Sequence, residues 1–435
     1  MKRRILALLL LSAFPLLSFG QAMSLDECMN YAKEHNPDIV RSRLQYETQS
    51  TILSETTLKR VPVIGIGAKE TFHTGNTLIM YGVDANVTMA LTQVAATLEM
   101  PLITGGALPY TKKAEEQSLS ASGQNITVTE VNMKIRVAAA YMQLLNDRSI
   151  EKIADSQVKL CQKQLENIKK LVSGGVRTSA DLAEAKSALS SAEFSLTQAQ
   201  GRTVISRISL MNLMGMDSNA EFDVLELEDD VDEGNVPQVL TLLDNIDIHP
   251  VVQTAKFNLA SMEFREKASK GSLYPNISFF ANYNNYFYFP IGVKDVKIGS
   301  QLGINGWGAF GITLSIPILD LSVKKRVQRA KLSTTSAVVA LDESRKEVSR
   351  QVNEAYYQAI SAKERYISAQ KAEIAAKEAF DSFQKLFDAG RTTTYDLDRS
   401  RARWFEASQE TVRSKYEYIL RNKVLELYNT SYGEK

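Results

Sequence analysis

The sequence predicts a mixed α and β chain in which long antiparallel helices of coiled-coil type join two pairs of β-strands, the whole plan occurring twice. Three observations lead there. The stretch Leu171-Val-Ser-Gly-Gly-Val-Arg-Thr-Ser-Ala-Asp-Leu182 recurs 215 residues later as Leu386-Phe-Asp-Ala-Gly-Arg-Thr-Thr-Thr-Tyr-Asp-Leu397. The segments around these copies carry apolar residues at seven-residue steps, and four segments elsewhere alternate apolar and polar residues with period two. A chain of 435 residues ordinarily divides into two or three domains, but a duplication lets two halves build one object.

The repeated stretch reads as a turn between two helices. Gly175 and Gly390 supply the positive φ that ends a helix. Thr178 or Ser179, and Thr393 or Thr394, are the N-cap candidates for the helices that follow. Asp181 and Asp396 fall in a first turn, where free N–H groups and the helix dipole favour a carboxylate.

Taken in order, residues 1–20 read as a secretory signal. They carry Lys2, Arg3 and Arg4, the apolar run Ile5–Leu11, and a small-x-small end at Ser18-Phe19-Gly20. The run is short for a membrane anchor and is broken by Pro15. Without these three basic residues the formal charge falls from +1 to about −2, which leaves no nucleic-acid footprint. Two cysteines, Cys28 and Cys161, are too few for a disulfide framework. No later stretch is long and apolar enough for a spanning helix, so an exported chain of this kind is either periplasmic or a β-barrel.

Residues 21–60 form a helical arm interrupted at Asn36-Pro37, a good N-cap followed by the residue favoured at the first helical position. His249-Pro250 opens the matching arm, 249–273. Each arm meets a proline bend, at Pro62 and Pro275, and gives way to strands in 61–102 and 274–319. Ile64, Ile66 and Ala68 alternate with Gly65, Gly67 and Lys69. Val87, Met89 and Leu91 share one phase and Val94, Ala96, Leu98 and Met100 the other, which predicts a bulge near Gln93. Eight of the 17 residues from Tyr274 to Pro290 are Phe or Tyr. Leu302, Ile304, Phe310, Ile312, Leu314 and Ile316 are expected on one strand face. Four strands of this length with aromatic clusters match outer-membrane barrel strands.

Long helices follow, from about Gly106 to Val172 and from about Leu321 to Phe387, each roughly 100 Å at 1.5 Å per residue. With their returning partners they fill 103–215 and 320–435. Such lengths ask for coiled-coil packing. Leu182, Leu189, Leu196 and Leu210 fall in one heptad row, Ala185, Ala192, Ala199 and Leu213 in its partner. Ala154, Cys161 and Ile168 make a third, so Cys161 is a seam thiol. Between the halves, 216–248 is a linker with a short strand expected at Glu221–Leu227 and an acidic loop at 228–233.

The order arm with Asn-Pro, Pro-led strand, strand ending Pro-Leu-x-x-Gly-Gly, long helix, Gly turn with Thr…Asp-Leu and returning helix, all repeated, resembles the TolC-type outer-membrane efflux and secretion channels over nearly the whole mature chain. The resemblance implies a homotrimer in the outer membrane of a Gram-negative bacterium. Its protomers each give four strands to one twelve-stranded barrel, above a periplasmic α-helical tunnel closed by the hairpin tips. It further implies a periplasmic adaptor and an inner-membrane pump of RND or ABC type as partners. The family's gate aspartates map onto Asp181 and Asp396, with Phe387, Arg391 and Arg399 beside them. Its adaptor-docking tips map onto Gly174, Gly175, Val176 and Arg177 and onto Gly390 and Thr392. Two departures stand out: Arg399 occupies a position where relatives often carry a second Asp, and Phe387 lacks the hydroxyl of the usual tip aromatic.

The expected function is passive exit of small molecules from the pump. A type I protein-secretion duct and a purely structural periplasmic coiled coil are the alternatives. Catalysis is not expected: His35, His73 and His249 show no metal-ligand spacing, and no nucleophile motif or phosphate loop occurs. No cofactor or metal is expected either.

Overall fold

The computed structural model describes residues 22–79, 83–86, 88–227, 246–290 and 298–430. The expected signal and acidic loop lie outside them. The chain divides into two compact units, one of residues 45–123 and 254–343, the other of residues 1–44, 124–253 and 344–435.

The first unit holds the sheet. Strands β1 (Val63–His73), β2 (Asn76–Ile79), β3 (Val83–Asn86), β4 (Met89–Thr104), β5 (Asn276–Pro290) and β6 (Gly306–Ser315) occur in chain order. The main sheet runs β1-β4-β5-β6 and is antiparallel throughout, while β2 and β3 form a separate hairpin. Directly opposed residues share a face. The register therefore aligns Ile66 with Ala96, Ala96 with Tyr283, and Ala281 with Phe310 on one apolar face. Lys69, Gln93 and Tyr286 line up on the other, where Gln93 Nε2 also donates to Asn284 Oδ1 at 3.1 Å.

The bulge predicted at Gln93 is absent: pairing is regular there, and the register shifts between Pro101 and Ile103 instead. Proline has no N–H for the ladder, so the irregularity falls beside it. The change of apolar phase needs no bulge, because Met89 is buried and Leu91 half-buried on the second face at the far end of the strand. Leu302 and Ile304 are also not strand residues. They lie on a short helix, Ile298–Ile304, whose Gln301 Oε1 accepts from Tyr288 N at 2.7 Å. Ile316 lies just past β6.

Among the described residues there are eight α-helices: α1 (Leu25–His35), α2 (Pro37–Leu58), α3 (Ala107–Ser173), α4 (Ser179–Met214), α5 (Pro250–Gly271), α6 (the Ile298–Ile304 helix), α7 (Leu321–Asp388) and α8 (Thr394–Thr430). Pro109 sits in the first turn of α3, where its missing N–H has no intrahelical acceptor to lose. At the sheet corner Gly105, at φ +56, approaches Gly271 so closely that a Cβ would stand 2.1 Å from the Gly271 carbonyl oxygen.

In the second unit, α1 carries a Ser24–Glu27 capping box and buries Leu25, Cys28, Met29 and Ala32 against Met133, Val137 and Tyr141 of α3 and Met211 and Met214 of α4. The strand expected at Glu221–Leu227 is reduced to one bridge between Met23 and Val224. Tyr141 occupies part of that site, its hydroxyl donating to the Met23 and Leu225 carbonyls at 3.2 and 2.6 Å. Along the seam the alanine row seals most tightly: Ala185, Ala192 and Ala199 are buried, while Leu182, Leu189 and Leu196 are half-buried. Cys161 packs on Val158 and Ala192, and burial raises its thiol pKa. Small side chains let the backbones come close, and Leu182, Leu189 and Leu196 pack at the margins of the same clusters.

His249 caps α5, its Nδ1 accepting from Val251 N at 3.2 Å. Burial lowers its pKa to about 4. The neutral ring therefore contributes stability that is complete above the ordinary value of 6.5 and is lost as pH falls toward 4. At about 1.4 kcal/mol per unit this is worth about 3 kcal/mol. Histidine hydrogen–deuterium exchange on the purified protein should return a value near 4 for His249, and one of 6 or above would contradict this burial.

Candidate functional site at the hairpin tips

Each tip is built by the same local chemistry. Helix α3 ends in a Schellman motif, with Val176 N donating to Leu171 O at 2.8 Å and Gly175 N to Val172 O at 3.0 Å. Helix α7 ends likewise, Arg391 N to Leu386 O at 2.8 Å and Gly390 N to Phe387 O at 3.0 Å. Gly175 and Gly390 stand at φ +74 and +70, with nothing within 4 Å of where a Cβ would be. Of the paired candidates for N-cap, Thr178 and Thr393 take the role. Asp181 N donates to Thr178 Oγ1 at 3.2 Å and Asp396 N to Thr393 Oγ1 at 3.1 Å. Both aspartates answer in kind, Asp181 Oδ2 accepting from Thr178 N at 3.0 Å and Asp396 Oδ2 from the Thr393 hydroxyl at 2.7 Å.

The two tips are then joined. The buried Thr394 hydroxyl donates to Asp181 Oδ1 at 2.8 Å. Arg177 Nη2 donates to the Thr392 carbonyl at 3.3 Å, and its guanidinium lies 4.6 Å from the Phe387 ring centre. Phe387 and Leu397 are buried beneath, in a cluster with Leu165, Ile168, Ala185 and Phe380. Phe387, which has no hydroxyl, thus meets Arg177 through a cation–π contact. Deeper still, Arg401 pairs with Asp398 at 2.7 Å, and Gln164 of α3 bonds both.

The Thr178 backbone N–H, followed by the Thr394 hydroxyl, holds the Asp181 carboxyl below its ordinary range. Asp396 is lowered chiefly by the Thr393 hydroxyl, with Arg399 a smaller contribution. Both stay ionised at neutral pH, and any stability they add is lost only as pH falls through these depressed values. Asp398 goes the other way, raised by burial against the pull of Arg401.

Of the residues picked from sequence, Asp181, Phe387, Arg177 and Thr392 meet at one junction. Gly174, Gly175, Val176 and Gly390 form the exposed turns, Val176 at 69%. Arg391 and Arg399 are exposed and make no ion pair within the protomer among the described residues. Sequence reading missed the Thr394 bridge and the role of Gln164 and Arg401. A buried Arg with Asp three residues before it is a visible spacing, but nothing in it names Gln164.

The model of the family described as outer membrane efflux protein matches residues 30–216 and 249–429, once in each half. Outer membrane efflux protein BepC of Brucella suis biovar 1 is 20% identical over 291 residues, covering 65% of this chain; the chain spans 60% of BepC. Among solved structures, CusC is 16% identical with a TM-score of 0.78, over 96% of this chain and 94% of that one. The Campylobacter jejuni CmeC outer membrane channel is 16% identical, TM-score 0.77, covering 94% and 87%. The open-state Neisseria gonorrhoeae MtrE outer membrane channel is 17% identical, TM-score 0.74, covering 93% and 88%. With both halves of its fold and sequence matched, this chain belongs to the outer membrane efflux protein family.

Proposed function

We propose that this protein is a channel-tunnel giving small molecules passive exit through the outer membrane, fed by an inner-membrane pump through a periplasmic adaptor and gated at the hairpin tips. The observation that carries the reading is the sheet. Its apolar face is left open, with Ile66 82% and Phe310 81% exposed, far more than a soluble sheet leaves to water. β1 and β6 are edge strands. Lipid tolerates no open edge, and the smallest barrels need about eight strands. Three copies supply twelve.

The assembly follows as an expected result: native mass spectrometry in detergent gives a folded trimer, and a monodisperse folded monomer would refute it. For the conduit itself, expression in an efflux-deficient strain with its pump and adaptor should restore drug resistance. Export of a polypeptide with no change in drug resistance would favour the secretion-duct alternative instead.

A further inference from the structure

Three helices of the second unit, α3, α4 and α8, enclose a groove of about 560 Å³, within the range of about 300–1,000 Å³ that small-molecule sites occupy. Its floor is polar. Asn146 and Asp147 of α3 line it and are only 8% and 7% exposed. Asp147 Oδ1 accepts from Gln143 Nε2 at 2.9 Å and from Asn146 Nδ2 at 3.3 Å. Neither donor is charged, and no cation pairs with this carboxylate among the described residues. Asn146 Oδ1 is buried with no donor among them. Buried carboxylates are ordinarily paired and buried amide oxygens bonded, because leaving either without a partner costs free energy. The floor therefore presents two acceptors that a cationic donor would satisfy.

The opposite need stands nearby. Arg202 of α4 lines the same groove, and its guanidinium meets no acceptor among the described residues. The other two guanidiniums there are engaged, Arg413 with Glu410 at 2.8 Å and Arg421 Nη2 with Glu417 at 3.6 Å. Helices α3 and α4 run antiparallel past the packed pairs Ala154–Ala199 and Cys161–Ala192. The same offset sets Arg202 one turn closer to the tips than Asp147, about 6 Å along the axis. The Ser149–Tyr416 hydroxyl contact at 3.2 Å sets α8 alongside. Ile150, Ile205 and Tyr416 fall between the two charged ends and give the groove an apolar waist.

We propose that this groove binds a small organic zwitterion whose ammonium and carboxylate stand at opposite ends of an apolar body. The ammonium donates to Asp147 and to the orphaned Asn146 Oδ1, and Arg202 takes the carboxylate in a charge-assisted pair. The body lies against Ile150, Ile205 and Tyr416. A hard metal ion is the poorer fit, because two oxygens fall short of the roughly six or more that it takes. The site is built by one protomer and stands apart from both the hairpin tips and the oligomeric reading above.

Equilibrium dialysis of the full-length protein in detergent tests this with three probes. 4-(Aminomethyl)benzoate carries both charges, while benzylamine and 4-methylbenzoate each carry one. The zwitterion is expected to bind once per protomer, and either one-ended probe about tenfold or more weaker, as loss of a charge-assisted bond predicts. Asp147→Asn and Arg202→Gln should each weaken the zwitterion by a similar factor, and Arg202→Gln should bind benzylamine no more weakly than the parent does. Arg202 is exposed, so its replacement keeps the test open if Asp147→Asn fails to fold. No saturable binding of the zwitterion by the parent at millimolar concentration overturns the proposal. So does equal affinity for the zwitterion and a one-ended probe, or parental affinity for the zwitterion in either folded variant.

Discussion

Replacing Arg177 by Ser together with Thr394 by Val should open the tunnel. In a planar bilayer, purified trimer carrying both changes is expected to spend most of its time in a high-conductance state that the parent visits rarely. The Thr394 hydroxyl donates to a carboxylate, a bond worth about 1–2 kcal/mol at this buried position. The Arg177 contact with Phe387 adds about 0.5–1 kcal/mol. Near 2 kcal/mol per protomer is little alone. Repeated three times by symmetry it reaches the scale of about 5.5 kcal/mol that carries a two-state equilibrium from 1:99 to 99:1. Valine keeps the shape of Thr394, so the buried cluster under Phe387 and Leu397 stays filled. Arg391→Ser with Arg399→Ser removes no ion pair among the described residues of the protomer, only the weak pull of Arg399 on Asp396, so a large rise in conductance there would point to bridges between protomers. Asp181→Ala with Asp396→Ala should weaken cation selectivity, as loss of a carboxylate ring does. An intact double variant of Arg177 and Thr394 with parental conductance would end the view of this junction as the latch.

The second large effect concerns docking. Gly175→Val and Gly390→Val are expected to abolish drug resistance in the complemented strain while trimer and membrane level persist. Both glycines hold positive φ, and a β-branched residue there costs about 1–2 kcal/mol or somewhat more. No neighbour obstructs a side chain at either position, so the strain is local to the turn and the protomer is not broken. An added isopropyl group, however, projects into the space an adaptor helix needs for close backbone approach. If these turns were only helix ends, resistance would survive alongside a modest fall in thermal stability. A western blot of membrane fractions separates the two outcomes.

The hairpins and the strand pairs were legible because their signals are short-range. A Schellman turn is closed by bonds spanning five residues, and a capping box by bonds spanning three, so Gly175, Gly390, Asp181 and Asp396 announce both from the sequence alone. Heptad rows such as Ala185–Ala192–Ala199 repeat within one helix and need no knowledge of the partner. The misplaced elements share a different cause. Leu302 and Ile304 alternate like strand residues over too few positions to tell a strand from a helix turn. The apolar phase change at Gln93 is compatible with either a bulge or a switch of buried face, and only the pairing with β1 and β5 chooses between them.

Sequence by itself thus determined the duplicated plan, the helix ends and the pair of residues within which each N-cap falls. Tertiary structure alone decided what those caps do next. Thr394 reaches Asp181 across 213 positions and Gln164 reaches Arg401 across 237, separations at which no local propensity or periodicity carries information. Arg177 finds the face of Phe387 only because two helices from different halves end side by side. A carboxylate that satisfies its own helix with one oxygen still has a second to offer, and which group takes it depends on where the packed core sets the neighbouring turn.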